Sequence, residues 1–187
     1  MGISSAELRI EDLPHYIYDD YVQWEGEWEI IHGIPYAMTP APRIKHQRLS
    51  VKIAAQLESL LKNCADCQTL MPVDWQIAED TVVQPDLLVV YGENKSEEKL
   101  LILPVLVFEI MSPATAKRDR ILKYRLYEEA GVKYYCLVDP DAKSMEIFEL
   151  NRERYRNYND KDNFKDGKVT LEIGNCLIEF DVAEIFK

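Results

Sequence analysis

Apolar positions recur along this chain with two periods, and the switches between them mark out its elements. From Trp28 to Met38 apolar and polar residues alternate around His32-Gly33, which predicts a β-hairpin. Leu13 to Gln23, with Pro14 near its start, reads as a short helix or loop. Thr39-Pro-Ala-Pro42 breaks the chain before a helix from Ile44 to Lys62, in which Leu49, Ile53, Leu57, Leu60 and Leu61 fall at helical spacing. Strands are predicted near Asp74 to Ile77, Thr81 to Tyr91 and Val105 to Met111. Ser112-Pro-Ala-Thr115 supplies turn and cap chemistry ahead of a second helix, Lys117 to Ala130, with Gly131 placed to end it. Lys133 to Val138 is a further strand, and Ser144 to Leu150, Arg154 to Tyr158 and Val169 to Ile178 read as antiparallel strands on an edge. The order α-β-β-β-α-β, with extra β at both ends, predicts an α/β (α+β) chain whose mixed sheet is flanked by helices.

Length and charge narrow this picture. A chain of 187 residues fits one domain, 1–187, with a sizeable core. No apolar run approaches the ~18 residues that cross a membrane, and the acidic, polar start shows no signal peptide. Four cysteines in such a chain fit a reducing cytoplasm. Cys64-Ala-Asp-Cys67 is a CxxC without a second pair at zinc spacing, so these are read as loop or core cysteines. The net charge of −11 argues against a protein that coats nucleic acid, yet the charge is uneven. Residues 1–30 hold eight acids and one base, whereas Arg43, Lys45, Arg48, Lys52 and Lys62 face one acid in 43–62, and Lys117, Arg118, Arg120, Lys123, Arg125 and Lys133 face three in 114–133. The two basic stretches can form one local footprint; the plainer reading is solvated helix faces.

Two apolar runs each carry a carboxylate. Asp86 lies in Thr81 to Val90 and Glu109 ends Leu103 to Glu109. Such runs read as strands buried on both faces, where a carboxylate is costly unless paired or bound to a metal. On neighbouring strands the two acids point to a divalent cation. Pro85 removes a ladder donor and favours an edge or bulge, which would aim Asp86 into a cleft. The plainer roles are a turn-amide contact for Asp86 and a structural salt bridge for Glu109. Asp119, Lys123 and Tyr127, four apart, stack on one helix face beside Leu122, Leu126 and Ala130, so Lys123 can reach over the strand ends toward the acids. Its plainer role is a surface pair with Asp119. His46 shares a face with Leu49 and Ile53 and reads first as a satisfied buried histidine, while Glu29 is either an extra ligand or exposed. With three histidines and no paired-histidine motif, a hard, oxygen-ligated ion, Mg²⁺ or Mn²⁺, is favoured. There is no nucleophile elbow, P-loop or dinucleotide fingerprint.

Gln84-Pro85-Asp86, Phe108-Glu109-Ile110-Met111-Ser112-Pro113, Asp119-x3-Lys123-x3-Tyr127, Gly131-Val132-Lys133-Tyr134-Tyr135 and Val138-Asp139-Pro140, together with Trp28 to Gly33 and Pro42 to His46, resemble the Uma-type family of predicted endonucleases. That family belongs to the PD-(D/E)XK restriction-endonuclease-like superfamily. The resemblance implies a restriction-endonuclease-like αβββαβ core, with Asp86 and Glu109 as Mg²⁺ ligands and Gln84 as an auxiliary residue. The superfamily signature has lysine two residues after the glutamate, where this chain has Met111; Lys123, displaced to the next helix, is the candidate to fill that space.

The expectation is therefore a Mg²⁺- or Mn²⁺-dependent endonuclease acting on phosphodiesters of DNA, with RNA left open. Asp86, Glu109 and Lys123 would be catalytic, and Glu29, His46, Gln84, Asp119 and Tyr127 auxiliary. Arg43, Lys45, Arg48, Lys117, Arg118 and Arg120 would contact the phosphate backbone. A homodimer is expected, because cutting both strands needs two sites. The rivals are a catalytically inactive nucleic-acid-binding or assembly module on the same fold, motivated by Met111 and the acidic total charge, and a metal-dependent hydrolase of another phosphate ester.

Overall fold

In the computed structural model, which describes residues 14–38 and 43–187, the hydrophobic periods resolve into a central six-stranded sheet with packed layers on both faces. A short helix α1 (Tyr18–Tyr21) precedes the hairpin β1 (Trp28–Ile31) and β2 (Ile34–Ala37), and α2 runs Ile44–Leu61. Then come β3 (Cys67–Leu70), β4 (Trp75–Ala78), β5 (Thr81–Val83), β6 (Leu87–Tyr91) and β7 (Pro104–Ile110). A π-helical segment, Arg118–Lys123, leads into α3 (Tyr124–Ala130), followed by β8 (Tyr134–Asp139), β9 (Ser144–Asn151), β10 (Arg154–Asn157), β11 (Lys168–Ile173), β12 (Cys176–Asp181) and α4 (Val182–Phe186). The Thr39–Pro42 break lies outside the described residues.

The central sheet has the order β10-β9-β8-β7-β6-β3. Only β7 and β8 pair in parallel, as a crossover through a helix requires. A smaller sheet, β2-β1-β5-β4, and the hairpin β11-β12 complete the fold. Alternate residues of the central strands feed two cores. Leu87, Val89, Leu106, Phe108 and Ile110 pack under Leu49, Ile53, Leu57 and Leu61 of α2 and against β11 and β12. Leu88, Val90, Val107 and Met111 face Leu126 and Tyr127 of α3 and Ile31, Trp75 and Val83 of the smaller sheet. Strands buried this way need no alternation, because neither face meets water.

Three expectations are corrected. Thr81 to Tyr91 is not one strand. The chain leaves the smaller sheet at Val83 and enters the central sheet at Leu87, so Gln84-Pro85-Asp86 is a passage between sheets rather than a bulge. Pro85, lacking an N–H, suits a point where the ladder is abandoned. The first strand of the αβββαβ core is β3, a half-buried segment with no strong apolar run, whereas Asp74 to Ile77 became β4 of the smaller sheet. Val169 to Ile178 is a hairpin forming its own sheet.

The cysteines also differ from expectation. Cys64 is bonded to Cys176, 112 residues away, while half-buried Cys67 and buried Cys136 are free. The CxxC is therefore not a unit, and the bond ties the end of α2 to the C-terminal hairpin. No helix among the described residues is long and apolar enough to cross a membrane.

Gly131 ends α3 at φ 91°, ψ 20°, with its N–H on the Tyr127 and Glu128 carbonyls. A Cβ there would meet Leu103 at 3.7 Å, an ordinary contact, so the cost of a side chain is conformational. Gly131→Ala is expected to lose ~1 kcal/mol and Gly131→Asn less, read by urea denaturation. Equal stability of Gly131→Ala and wild type would refute this capping role.

Candidate active site

Asp86 and Glu109 stand opposite one another. Leu87 pairs with Phe108 and Leu88 with Val107, so one step further along that antiparallel register sets Asp86 across from Glu109, on the face shared by Leu88 and Val107. Glu109 is four per cent exposed on the penultimate residue of β7, and Asp86 is partly open at the mouth of β6. Like charges placed directly across a ladder repel, so this pair needs compensation.

The compensation comes mainly from the crossover helix. Lys123, two per cent exposed, donates from Nζ to Glu109 Oε1 at 2.8 Å and sits 2.7 Å from Glu29 Oε1. Tyr127 adds its hydroxyl to Glu109 Oε1 at 2.8 Å, with its ring stacked on Trp75 at 5.7 Å between centroids. Asp119, also two per cent exposed, completes that face of the helix. The spacing Asp119-Lys123-Tyr127 thus points inward, as expected, but through a π-helical segment in which Tyr124 N–H reaches the Asp119 carbonyl. Such widened turns recur at functional sites. Tyr135, which the sequence did not single out, holds the turn by donating to that same carbonyl at 3.0 Å. The expected surface pair of Lys123 with Asp119 is not formed; Lys123 is internal and bound to glutamates.

Glu29 is the largest surprise. It is fully buried, and its Oε1 also accepts the Gln84 N–H at 3.0 Å. Its direction was legible in one respect: Glu29 shares strand parity with Ile31, which faces the α3 core. Gln84 in turn donates from its side chain to Asp74 Oδ1 at 2.7 Å, an oxygen that also accepts from the Tyr21 hydroxyl. His46, near the start of α2, places Nε2 3.1 Å from Asp86 Oδ2, and the Ile110 N–H donates to that oxygen at 2.7 Å. Of the plainer roles, the salt bridge of Glu109 is formed, whereas Asp86 accepts the amide of strand residue Ile110 and not a turn amide.

Burial dominates the electrostatics. It pushes the Glu109 carboxyl well above the usual range against the pull of the Lys123 ammonium, and Asp119, Asp86 and Glu29 add to the rise. Burial raises Asp119 too, opposed by Lys123 and by a hydrogen bond from Thr115. Burial alone would lower Lys123, but Glu109, Glu29 and Asp119 outweigh it and hold the ammonium above its ordinary pKa. The Tyr127 phenol is raised by burial and then by Glu109, so it remains a donor. Glu29, Asp86, Glu109 and Asp119 together face two permanent cations, Lys123 and Arg118, which leaves two negative charges over when every carboxyl is ionised.

A hard dication fits that balance. Among the described residues no three His, Cys, Asp or Glu form a ready cage. Mg²⁺ does not ask for one; it commonly takes one or two carboxylates and fills its sphere with water and substrate phosphate. Asp86 Oδ1 and Glu109 Oε2 accept no hydrogen bond among the described residues, so each acid has one oxygen tied and one without a described partner.

The two basic stretches border this cluster, one through His46 and the other through Asp119. Arg43, Arg48 and Lys117 are exposed. Lys45 is engaged with Asp141 at 2.6 Å and Arg120 with Glu146 at 2.8 Å, so their charges are locally matched. Arg118 is mostly buried, 3.4 Å from Glu29 Oε2.

A family model, Uma2, described as "Putative restriction endonuclease", matches residues 18–179. The chain is also similar to the crystal structure of a "putative nuclease belonging to DUF820" from Anabaena variabilis ATCC 29413, with a TM-score of 0.72 and 15% identity over 91% of this chain and 97% of that one. At that identity the likeness establishes the fold. No curated protein matches the chain.

Proposed function

Since the chain belongs to the Uma2 family of putative restriction endonucleases, we propose that it hydrolyses phosphodiester bonds of DNA with Mg²⁺ or Mn²⁺ held by Asp86 and Glu109. The observation that carries this reading is the opposed pair of acids, each with one oxygen anchored and one without a hydrogen-bond partner among the described residues, with a buried lysine on Glu109. When bound, the dication supplies a water of lowered pKa and an electrophile beside a phosphoryl oxygen. The protein's own groups do the rest. Ile110 N–H and His46 fix Asp86 Oδ2, and Tyr127 and Lys123 fix Glu109 Oε1, so the other oxygen of each acid is held in place. Lys123, two per cent exposed, donates to Glu109 Oε1 and lies 2.7 Å from Glu29 Oε1, so its charge acts on the reacting phosphate through the field it adds beside the acids. Lys123 thereby takes the part of the signature lysine whose usual place is filled by Met111. Arg43, Arg48 and Lys117 position the backbone without reading sequence. A homodimer is the unit proposed to cut both strands.

The test is conversion of supercoiled plasmid to nicked and linear forms. Purified protein should act with Mg²⁺ or Mn²⁺, stop with EDTA, and fail as Asp86→Ala. An intact plasmid with either metal, under conditions where the protein binds duplex, would leave a binding module in place of an enzyme. Turnover of small phosphodiesters without action on DNA would favour another phosphate ester.

A further inference from the structure

We propose that Arg118 grips a phosphate of the substrate and that Glu29 is the residue that positions it. The inference rests on the nuclease reading and deepens it by naming the phosphate contact.

Four buried side-chain atoms among the described residues have no hydrogen-bond partner: Glu29 Oε2, His46 Nδ1, Arg118 Nε and Thr69 Oγ1. Three of them surround the same acids. Buried polar atoms without partners are rare in folded proteins and call for something that completes them. Arg118 Nη1 lies 3.4 Å from Glu29 Oε2, with side chains 16% and 0% exposed, and no hydrogen bond forms between the two residues. The pair is held by charge and left geometrically unfinished.

Arg118 and Lys123 are the two ends of the π-helical segment, so one stretch of chain delivers both cations to one carboxylate. Lys123 takes Oε1 and is closed off in the interior. Arg118 faces Oε2, and its side chain keeps 16% of its surface exposed. Arg118 is therefore the cation an arriving anion can meet. The two Nη groups of a guanidinium form a fork that matches two oxygens of one phosphate, and here neither donates a hydrogen bond among the described residues, whereas Nε is buried. Lys45 and Arg120 already have acidic partners, whereas Arg43, Arg48 and Lys117 are exposed and have no hydrogen-bonded partner for their side chains among the described residues.

The experiment is fluorescence anisotropy with a short labelled DNA duplex, using Ca²⁺ in place of Mg²⁺ as a hard dication for the same oxygens. Arg118→Ala should weaken binding about tenfold or more. It should also make the slope of log K against log salt shallower by about one. Arg118→Lys should keep most of the slope yet lose affinity, because an ammonium lacks the fork. Arg125→Ala, on the exposed face of α3, should bind as wild type. Glu29→Gln should weaken binding less than Arg118→Ala, and the double variant should be no weaker than Arg118→Ala alone, as two groups acting through one contact require. Thermal melts confirm that each variant is folded. Wild-type affinity and slope in Arg118→Ala would overturn the proposal, and additive losses in the double variant would remove the positioning role of Glu29. Binding that depends on Arg118 in a protein that never cuts plasmid would support the phosphate contact and remove the nuclease. Cleavage with kcat and KM unchanged in Arg118→Ala would do the reverse, and a wild type that binds no duplex overturns both.

Discussion

Lys123→Met loses roughly 3–5 kcal/mol of stability at neutral pH, the usual consequence of stripping one partner from a buried charge pair. The methionine fills much of the lysine's volume, so packing changes little and the loss is electrostatic. Glu29 and Glu109 are left facing each other without the ammonium that both touch. For a chain of this size that is a fall in melting temperature of about 6–20 °C. The pH dependence gives the mechanism away. Lys123 has a folded pKa above its ordinary value, so its contribution is fully present below the unfolded pKa near ~10.4 and is lost only above that. In the variant Glu109, raised by burial and now without the ammonium that lowers it, takes up a proton more readily, so the deficit against wild type should shrink steadily as the pH is lowered toward 5. Melting curves of both proteins between pH 5 and 9 check this; a deficit independent of pH would show that packing, not charge, was lost. Cleavage should vanish at every pH.

Glu109→Gln separates activity from stability in the opposite sense. The amide keeps an oxygen for Lys123 and Tyr127 but cannot carry a negative charge. Activity should fall at least about 100-fold, since even groups that merely orient a metal's ligands cost about 10–100-fold. Stability should not fall with it. Burial raises the carboxyl of Glu109 above its ordinary 4.5, so the folded state keeps a proton that the unfolded chain has already released. Its contribution is complete below pH 4.5 and drains away as the pH rises through the folded pKa. Wild type therefore carries a downward slope with pH that the variant lacks. As the pH rises above 4.5 the variant's melting temperature should gain on that of wild type. Asp119 is raised in the same direction and leaves some slope behind. Added Mg²⁺ should stabilise wild type and not the variant, because a ligand that binds only the folded state adds its binding energy to folding. A Glu109→Gln protein that cuts at the wild-type rate would end the assignment of this acid.

Much of this was legible in the chain because the relevant signals are local. The runs around Asp86 and Glu109 announce buried strands whatever surrounds them, and the i, i+4 spacing of Asp119, Lys123 and Tyr127 survives even the π-helical detour. What stayed hidden depends on partners distant in sequence. Glu29 reads equally as an extra ligand or as surface until a lysine 94 positions later closes over it. β3 has no strong pattern of its own and becomes a strand by pairing with β6. The pairing of Cys64 with Cys176 cannot be chosen from spacing when Cys67 is nearer. The basic stretches leave one footprint or solvated helix faces both open, and only the fold brings Asp141 and Glu146 from elsewhere to match Lys45 and Arg120.

The chain crosses from the smaller sheet to the central one in three residues, Gln84, Pro85 and Asp86, with Gln84 tied to Glu29 and Asp86 tied to Ile110. That crossing is too short to absorb a change of length without dragging an acid out of line. Natural variation in this lineage should therefore leave the spacing between β5 and β6 intact. The same brevity couples the two sheets mechanically, so a tilt of one against the other would reach the reacting groups before it reached either core.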